Sequence, residues 1–183
     1  IELLSSQVER CNQILKKLSL NPDIEDNFID EDLNMRDYLK EIISSFRETS
    51  KNDFNFNYEQ DSSPKKITKS IEIVYGLRNF IGNANKFCKN KVYINLKSNN
   101  EFTIITIEDD GEGYPNDIIS KIGEPYLKTL TSYNANKTGL GLGIFIGKTL
   151  LEKNFATVNC ANSKTRRGAE IEIKWKNKDL YNI

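Results

Sequence analysis

The chain has 183 residues, enough for one sizeable core with at most a short appendage. Its 26 basic and 26 acidic residues cancel, so no global field draws it toward nucleic acid or a membrane surface. It holds no histidine, which excludes histidine-based triads, histidine metal sites and a phosphohistidine within this chain. Three well-separated cysteines, Cys11, Cys88 and Cys160, suit a reducing compartment without a disulfide framework. No apolar run approaches the roughly 20 residues that span a bilayer, and no signal peptide is visible. The chain begins at Ile1 rather than Met, and we read it as part of a longer protein.

In chain order, Leu4, Val8, Cys11, Leu15 and Leu18 repeat with four-three spacing and predict a helix over 1–20. Its apolar stripe fits an oligomer seam or a face docked on the domain that follows. Asn21-Pro22 ends the helix, and the acidic stretch from Asp23 to Asp32 reads as a linker. Asn34 caps a predicted helix to about Arg47, with Met35, Tyr38, Leu39, Ile42, Ile43 and Phe46 on one face. Phe54 to Tyr58 alternates as a strand, Ser62-Ser63-Pro64 turns, and a long helix runs from about Thr68 to Phe87. Val92–Lys97 and Phe102–Ile107 form a hairpin around Ser98-Asn99-Asn100. Asn116 to Ile122 reads as a short helix, and Glu124 to Thr138 as a long polar loop. Ile144 to Lys153 is helical, and Thr157–Ala161 and Ala169–Trp175 are the last strands. The pattern is α+β, a two-layer sandwich with a mixed or antiparallel sheet under helices.

Three stretches carry chemistry. The strand Phe102–Ile107 runs into Glu108-Asp109-Asp110-Gly111-Glu112-Gly113-Tyr114-Pro115, where glycines permit positive φ and close backbone approach and a carboxylate can accept from an amine. An ordinary Asp-Gly hairpin turn is the plainer reading of that stretch. The long helix sets Asn79, Asn83 and Lys86 at i, i+4 and i+7 on one face. Amide oxygens suit a magnesium ion already carrying phosphate, and lysine adds a charge for phosphate; an exposed polar face is the alternative. Thr138-Gly139-Leu140-Gly141-Leu142-Gly143-Ile144 opens a helix whose unhindered amides can cradle phosphate. No Walker lysine follows it, so it is no P-loop.

In this order and spacing the three stretches resemble the N, G1 and G2 boxes of the ATP-binding catalytic domain of sensor histidine kinases, in the superfamily shared with gyrase, Hsp90 and MutL (the Bergerat fold). The resemblance covers about residues 33 to 176 and includes Gly168-Ala169 before the last strand. It is closest to the RegB/PrrB redox-responsive branch, through Gly123-Glu124-Pro125-Tyr126, Gly139 to Ile146 and Gln7-Val8-Glu9-Arg10-Cys11. It implies a remnant of a dimerisation helix over 1–22, a linker over 23–32, an ATP-binding domain over 33–178 and a tail over 179–183.

The resemblance also assigns roles. Asp109 accepts from the adenine amine, and Gly111 and Gly113 leave room for the base. Asn83 binds Mg2+, Asn79 orients the γ-phosphate or a reacting water, and Lys86 contacts phosphate, with Phe87 beside it. Thr138, Gly139, Leu140, Gly141, Leu142 and Gly143 carry the triphosphate. Tyr126, Lys128, Thr129, Tyr133 and Lys137 belong to a lid ordered by nucleotide. Two departures stand out: Lys137-Thr138-Gly139 replaces the commoner Gly-Thr-Gly, and Tyr126-Leu127 replaces the phenylalanine pair of the lid.

The implied activity is transfer of the γ-phosphoryl group of Mg-ATP to a histidine upstream of Ile1, on a hairpin that dimerises the whole protein. The implied partner is a response regulator, with no nucleic acid. The implied place is the cytoplasm, with no membrane contact of its own and a parent anchored in the bacterial inner membrane. Cys11 is read as either a redox switch or a small core residue; Cys88 and Cys160 read as structural. Rival readings are a non-catalytic ATP-binding sensor or scaffold, and a conformational ATPase of the gyrase or Hsp90 type. The latter uses a glutamate where this chain has Asn79, and an amide cannot take a proton from water.

Overall fold

The computed structural model describes residues 34–59, 67, 70–125 and 142–180. All of them belong to one compact unit, Asp32–Ile183. The predicted helix over 1–20, the linker, the Ser62-Ser63-Pro64 turn and nearly all of the 124–138 loop lie outside the described residues.

Helix α1 spans Met35–Thr49 and buries Met35, Tyr38, Leu39, Ile42 and Ile43, the stripe that three-four spacing requires. Asn34 closes its first turn: the side-chain oxygen accepts from the Asp37 N–H at 3.1 Å, and the side-chain amide donates to the Asp37 carboxylate at 2.7 Å. Strand β1 (Asp53–Tyr58) pairs in parallel with β2 (Lys91–Ser98), and α2 (Ile71–Phe87) makes the crossover. Predicted to start near Thr68, α2 begins at Ile71 because Ser70 is its N-cap, extended at φ −116° and accepting from the Ile73 N–H.

Strand β3 (Phe102–Asp109) runs antiparallel between β2 and β5 (Ala169–Lys176), and β4 (Thr157–Asn162) closes the far edge, giving the order β1-β2-β3-β5-β4. The sheet is therefore mixed and mainly antiparallel, in line with the fold read from sequence. Register lines up Ile94, Ile107, Ile171 and Cys160 in one row and Leu96, Ile105, Ile173 and Val158 in the next, all on the face under the helices. Burying each of these isoleucines stabilises the domain by about 1.5–3 kcal/mol. The opposite face carries Tyr93, Asn95, Thr106 and Glu172, none of them buried, which makes the domain a two-layer sandwich.

Helix α2 covers the sheet with Ile73, Val74, Leu77, Phe80, Ile81 and Ala84. Helix α3 (Gly143–Lys153) crosses it where two glycines meet. A methyl group at Gly76 would stand 2.6 Å from Leu151, and one at Gly147 would stand 3.0 Å from Phe80. The crossing is close only because both lack side chains. Helix α3 ends in a Schellman arrangement, with the Ala156 N–H donating to Leu151 O at 2.9 Å and the Phe155 N–H to Glu152 O at 3.1 Å. Phe155 occupies the left-handed position, φ +62°, where glycine is usual.

Two predicted elements need correction. Asn116 to Ile122 forms no α-helix; a single 3₁₀ turn, Ile119–Lys121, follows Pro115, whose carbonyl accepts from the Ile118 and Ile119 N–H groups. That stretch buries no residue, Ile118, Ile119 and Ile122 included, and a helix so short does not persist unless its apolar side packs on the rest of the protein. The C-terminal tail read over 179–183 begins inside the core instead. A one-turn helix α4, Asn177–Leu180, tucks Leu180 into full burial beside the sheet. No described helix is long and apolar enough to cross a membrane.

Candidate functional site

Asp109 and Asp110 end β3 side by side, and strand alternation sends them to opposite faces. Asp109 points inward and is only 3% exposed. Its Oδ1 accepts from the Gly111 N–H at 2.8 Å and the Ala169 N–H at 3.3 Å. Gly168 permits this: a methyl group there would overlap the Asp109 main-chain and carboxylate oxygens. Asp110 has a different task. Its carboxylate accepts from the main-chain N–H groups of Lys89, Asn90 and Lys91 at 2.8, 3.0 and 3.1 Å, which pins the α2–β2 connection to the end of β3. Partial burial pushes the Asp110 pKa up, but the amides of Asn90, Lys91 and Lys89 outweigh it and hold the carboxyl below its ordinary value.

The two glycines after the aspartates serve the protein's own packing. A methyl group at Gly111 would stand 2.5 Å from the Phe87 carbonyl oxygen, so the end of α2 abuts this turn. At Gly113, φ is +76° and a methyl group would stand 2.6 Å from the Asn162 side-chain oxygen. Side chains at these two positions would thus collide with Phe87, Asp109 and Asn162, which hold the turn in place. Asn162, at the end of β4, grips the next residue on both sides. Its oxygen accepts from the Tyr114 N–H at 2.6 Å and its amide donates to Tyr114 O at 2.9 Å.

Of the asparagines on α2, three have three fates. Asn85 turns away and accepts from Ser50 Oγ at 2.7 Å and Asn52 Nδ2 at 2.9 Å, stitching α2 to the α1–β1 connection. Asn79 donates to Tyr75 O at 2.8 Å, which leaves its oxygen directed outward, 3.8 Å from where a methyl group on Gly143 would sit. The start of α3 therefore lies beside the Asn79 amide. Asn83, one turn further along α2 and half-buried, has no hydrogen-bond partner among the described residues. Lys86 places its Nζ 5.3 Å from the Phe87 ring centre, and Phe87 is 46% exposed.

Helix α3 opens differently from the others. Leu142 stands at its N-cap without a side-chain hydrogen bond, and its first turn holds no acidic residue. Asn34 and Ser70 cap α1 and α2, which carry Asp37 and Glu72 in their first turns. Among the described residues, then, no side chain caps the first amides of α3 and no acidic residue of its first turn offsets the positive end of the helix dipole. Tyr126, Lys128, Thr129, Tyr133, Lys137, Thr138, Gly139, Leu140, Gly141 and Cys11 lie outside the described residues.

The residues present fit a nucleotide with its metal. A buried carboxylate, fixed by two amides, can accept from an exocyclic amine. The uncapped start of α3 suits phosphate. Among the described residues no cluster of three acidic or cysteine side chains could hold a metal ion. The neutral Asn83 oxygen is a donor that a magnesium ion already carrying phosphate oxygens could accept. An open groove between α1 and β1, lined by Asp37, Lys40, Arg47 and Phe56 among others, contains none of these groups.

Sequence reasoning singled out the Asp109 turn and the Asn79–Asn83 face. It missed Asn162, which no local pattern marks, and gave Tyr114 no role. Cys88 is buried and Cys160 half-buried. Burial pushes the Cys160 thiol up to about 11, so it stays neutral and inert near pH 7.

Comparison with known proteins assigns the class. Residues 68–179 match the family described as histidine kinase-, DNA gyrase B-, and HSP90-like ATPase, and the chain belongs to that family. Within it the similarity is to sensor histidine kinases. The chain is 30% identical over 197 residues to sensor histidine kinase RegB of Cereibacter sphaeroides, covering 95% of this chain and 41% of that protein. It is 25% identical over 187 residues to sporulation kinase A of Bacillus subtilis, covering 97% of this chain and 29% of that protein. The chain thus spans well under half the length of these relatives. Among solved structures, a mycobacterial sensor histidine kinase, MprB, matches with TM-score 0.64 at 18% identity, over 81% of this chain and 97% of that one. Full-length ShkA in complex with AMPPNP matches with TM-score 0.63 at 20% identity, over 79% of this chain and 30% of that one. At these identities the two structures speak for the fold.

Proposed function

We propose that this chain is the ATP-binding catalytic portion of a two-component sensor histidine kinase. It would bind Mg-ATP and pass the γ-phosphoryl group to a histidine that precedes Ile1 in the whole protein. The observation that carries the reading is the convergence of three separate stretches: Asp109 fixed inward at the end of β3, Asn79 and Asn83 on one face of α2, and the uncapped start of α3 beside the Asn79 oxygen.

In the reaction the bond from the γ-phosphorus to the β–γ bridging oxygen breaks, a bond to an imidazole nitrogen forms, and ADP leaves. Such transfer depends mainly on positioning and electrostatic stabilisation. Asp109 would hold the adenine amine, and the first amides of α3 with Gly139, Gly141 and Gly143 would carry the phosphates. Asn79 would orient the transferred group and Lys86 would add charge. Bound Mg2+, held by Asn83, would offset negative charge on the phosphate oxygens. Asn79 is an amide and no base, which argues against a hydrolytic ATPase of the gyrase or Hsp90 kind.

The whole protein would dimerise through a helical hairpin whose second helix ends in residues 1–22, would be anchored in the inner membrane, and would serve a response regulator. Cys11, in the apolar seam of that helix, would be its redox-responsive residue. The decisive experiment is a calorimetric titration of the 183-residue chain with ATP, with and without Mg2+, for wild type, Asp109→Asn and Asn83→Ala. Wild type is expected to bind with magnesium assistance. Asp109→Asn should lose about 100-fold or more in affinity, and Asn83→Ala should lose the dependence on magnesium. The longer parent, given radiolabelled ATP, should take up acid-labile phosphate while this histidine-free chain takes up none. Wild type that ignores ATP would overturn the reading.

A further inference from the structure

We propose that Asn162 is a positioning residue for the nucleobase: by fixing the far end of the turn that begins at Asp109, it sets how sharply Asp109 selects an amine. This rests on the nucleotide reading above.

The turn runs from Asp109 to Tyr114, and neighbours in one strand pair hold its two ends. At the start, the Asp109 carboxylate accepts from the Ala169 N–H at 3.3 Å. At the end, the Asn162 side chain accepts from the Tyr114 N–H at 2.6 Å and donates to Tyr114 O at 2.9 Å. Asn162 and Ala169 are directly opposed in the register of β4 and β5. The end of this strand pair is thus a clamp with one jaw on each end of the turn. Among the described residues, the two bonds to Asn162 are the only hydrogen bonds that tie the main chain from Glu112 to Tyr114 to another element.

Asparagine suits the task. In an antiparallel ladder two opposed residues exchange both of their main-chain hydrogen bonds, and a primary amide, with a donor and an acceptor on one plane, repeats that exchange from a side chain. Asn162 therefore continues the sheet by one step past its last residue. Gly113 completes the fit, since φ is +76° there and any side chain would meet the Asn162 oxygen. The clamp is itself held. Ser163 donates from Oγ to Glu108 Oε1 at 2.6 Å and from its N–H to Gly168 O at 2.8 Å, and its Oγ accepts from the Arg166 N–H at 2.9 Å. Glu108 precedes Asp109 and lies on the other face of β3. The β4–β5 turn is thus bound to β3 on the outer face through Ser163, and it grips the Asp109 turn through Asn162. A carboxylate kept within about 0.5 Å of its place rejects a base that lacks the amine, whereas one on a loose turn re-aims and tolerates it.

The test measures affinity for ATP and for purine riboside triphosphate, which lacks the exocyclic amine, by calorimetry with Mg2+. Wild type, Asn162→Ala and Asn162→Asp are compared at a temperature well below their thermal midpoints, which are recorded alongside. Wild type should prefer ATP by about tenfold or more. Asn162→Ala should narrow that preference about three- to tenfold, weakening ATP while leaving the analogue within about twofold. Asn162→Asp keeps the acceptor for the Tyr114 N–H and sets a charged oxygen against Tyr114 O in place of the donor. It should narrow the preference in the same direction, and it carries the test if the alanine variant does not fold. A wild-type preference in a folded variant overturns the inference even where the midpoint falls, because the role of Asn162 would then be structural alone. An equal loss for both ligands overturns it too. Wild type that binds no ATP removes the nucleotide reading and this inference together; wild type that binds Mg-ATP but does not prefer it to the analogue overturns this inference alone.

Discussion

Helices α2 and α3 lie side by side, and the two ends of the pair are finished in opposite ways. Where α2 begins and α3 stops, polar groups close on one another. Ser70 caps α2, Glu72 accepts from Lys153 at 3.0 Å and from Asn154, and the Asn154 carbonyl accepts from Trp175 Nε1 at 2.9 Å. At the other end α3 starts uncapped, and Asn83 and the Tyr114 hydroxyl have no partner among the described residues. The first end satisfies its hydrogen bonds within the protein and so adds to stability; at the second, the Asn83 side chain and the first amides of α3 lack side-chain partners among the described residues and stand where a ligand could pair with them. Neighbouring aspartates repeat the contrast over one residue: Asp110 spends its carboxylate on three main-chain amides, while Asp109 is fixed facing the inner side of the sheet.

Substitutions at the two ends should separate cleanly. The largest stability effect is expected for Trp175→Ala, since Trp175 is fully buried: about 3–5 kcal/mol in chemical denaturation. Whatever fraction remains folded should bind ATP as wild type does, and if none does, Trp175→Phe, which removes the bond to Asn154 and part of the ring but keeps an aromatic side chain, serves the same comparison. A loss of ATP affinity in folded Trp175→Phe would break the division of labour. The reverse case is Asp109→Asn, whose remaining Oδ1 still accepts both amides; it should spare the midpoint while removing binding.

Next in size is Asp110→Asn, which keeps an Oδ1 for the three amides but loses the charge that strengthens those bonds; it is expected to cost about 1 kcal/mol at neutral pH and to leave the affinity for ATP within about twofold. Its pH dependence has a definite sign. The folded pKa of Asp110 lies below the ordinary 3.8, so its contribution is complete above about pH 4 and fades as the pH falls through the lowered folded value. Unfolding midpoints followed from pH 6 to pH 3 should therefore fall less steeply in Asp110→Asn than in wild type. Equal slopes would show that the acid limb comes from other carboxylates. The smallest effect is a gain. Phe155→Gly should stabilise by about 1 kcal/mol, because a 64%-exposed aromatic side chain holds a left-handed position that glycine adopts without strain. A loss of stability on that substitution would show that the Phe155 ring has a packing role after all.

Most elements were legible because their signals are local. Alternation marked β2, β3 and β5, three-four spacing marked α1 and α2, and Asn34 marked a helix start by its side-chain chemistry alone. The errors have local causes too. Asn116–Ile122 carries Ile118, Ile119 and Ile122 at helical spacing, yet none of them is buried, and Leu180 sits in a short terminal stretch where nothing nearby shows that it enters the core. Asn85 and Asn83 look alike in sequence; only the placement of Ser50 and Asn52 gives the first a structural partner.

By itself the sequence determined the α+β class, the position of the Asp109 turn, the polar face of α2 and the absence of any histidine to receive a phosphoryl group. These depend on residue type and on spacing within one segment. Only the tertiary structure decided which of two adjacent carboxylates faces the inner side of the sheet, how Asn162 and Gly168 hold the G1 turn, and that the Tyr114 hydroxyl is enclosed without a partner among the described residues. Each of these joins residues from strands that are distant in the chain, about 50 to 60 positions apart for Asn162 with Tyr114 and Ala169 with Asp109. Such pairings follow from sheet order and register, which are set by how the whole apolar face packs and leave no mark in any single stretch.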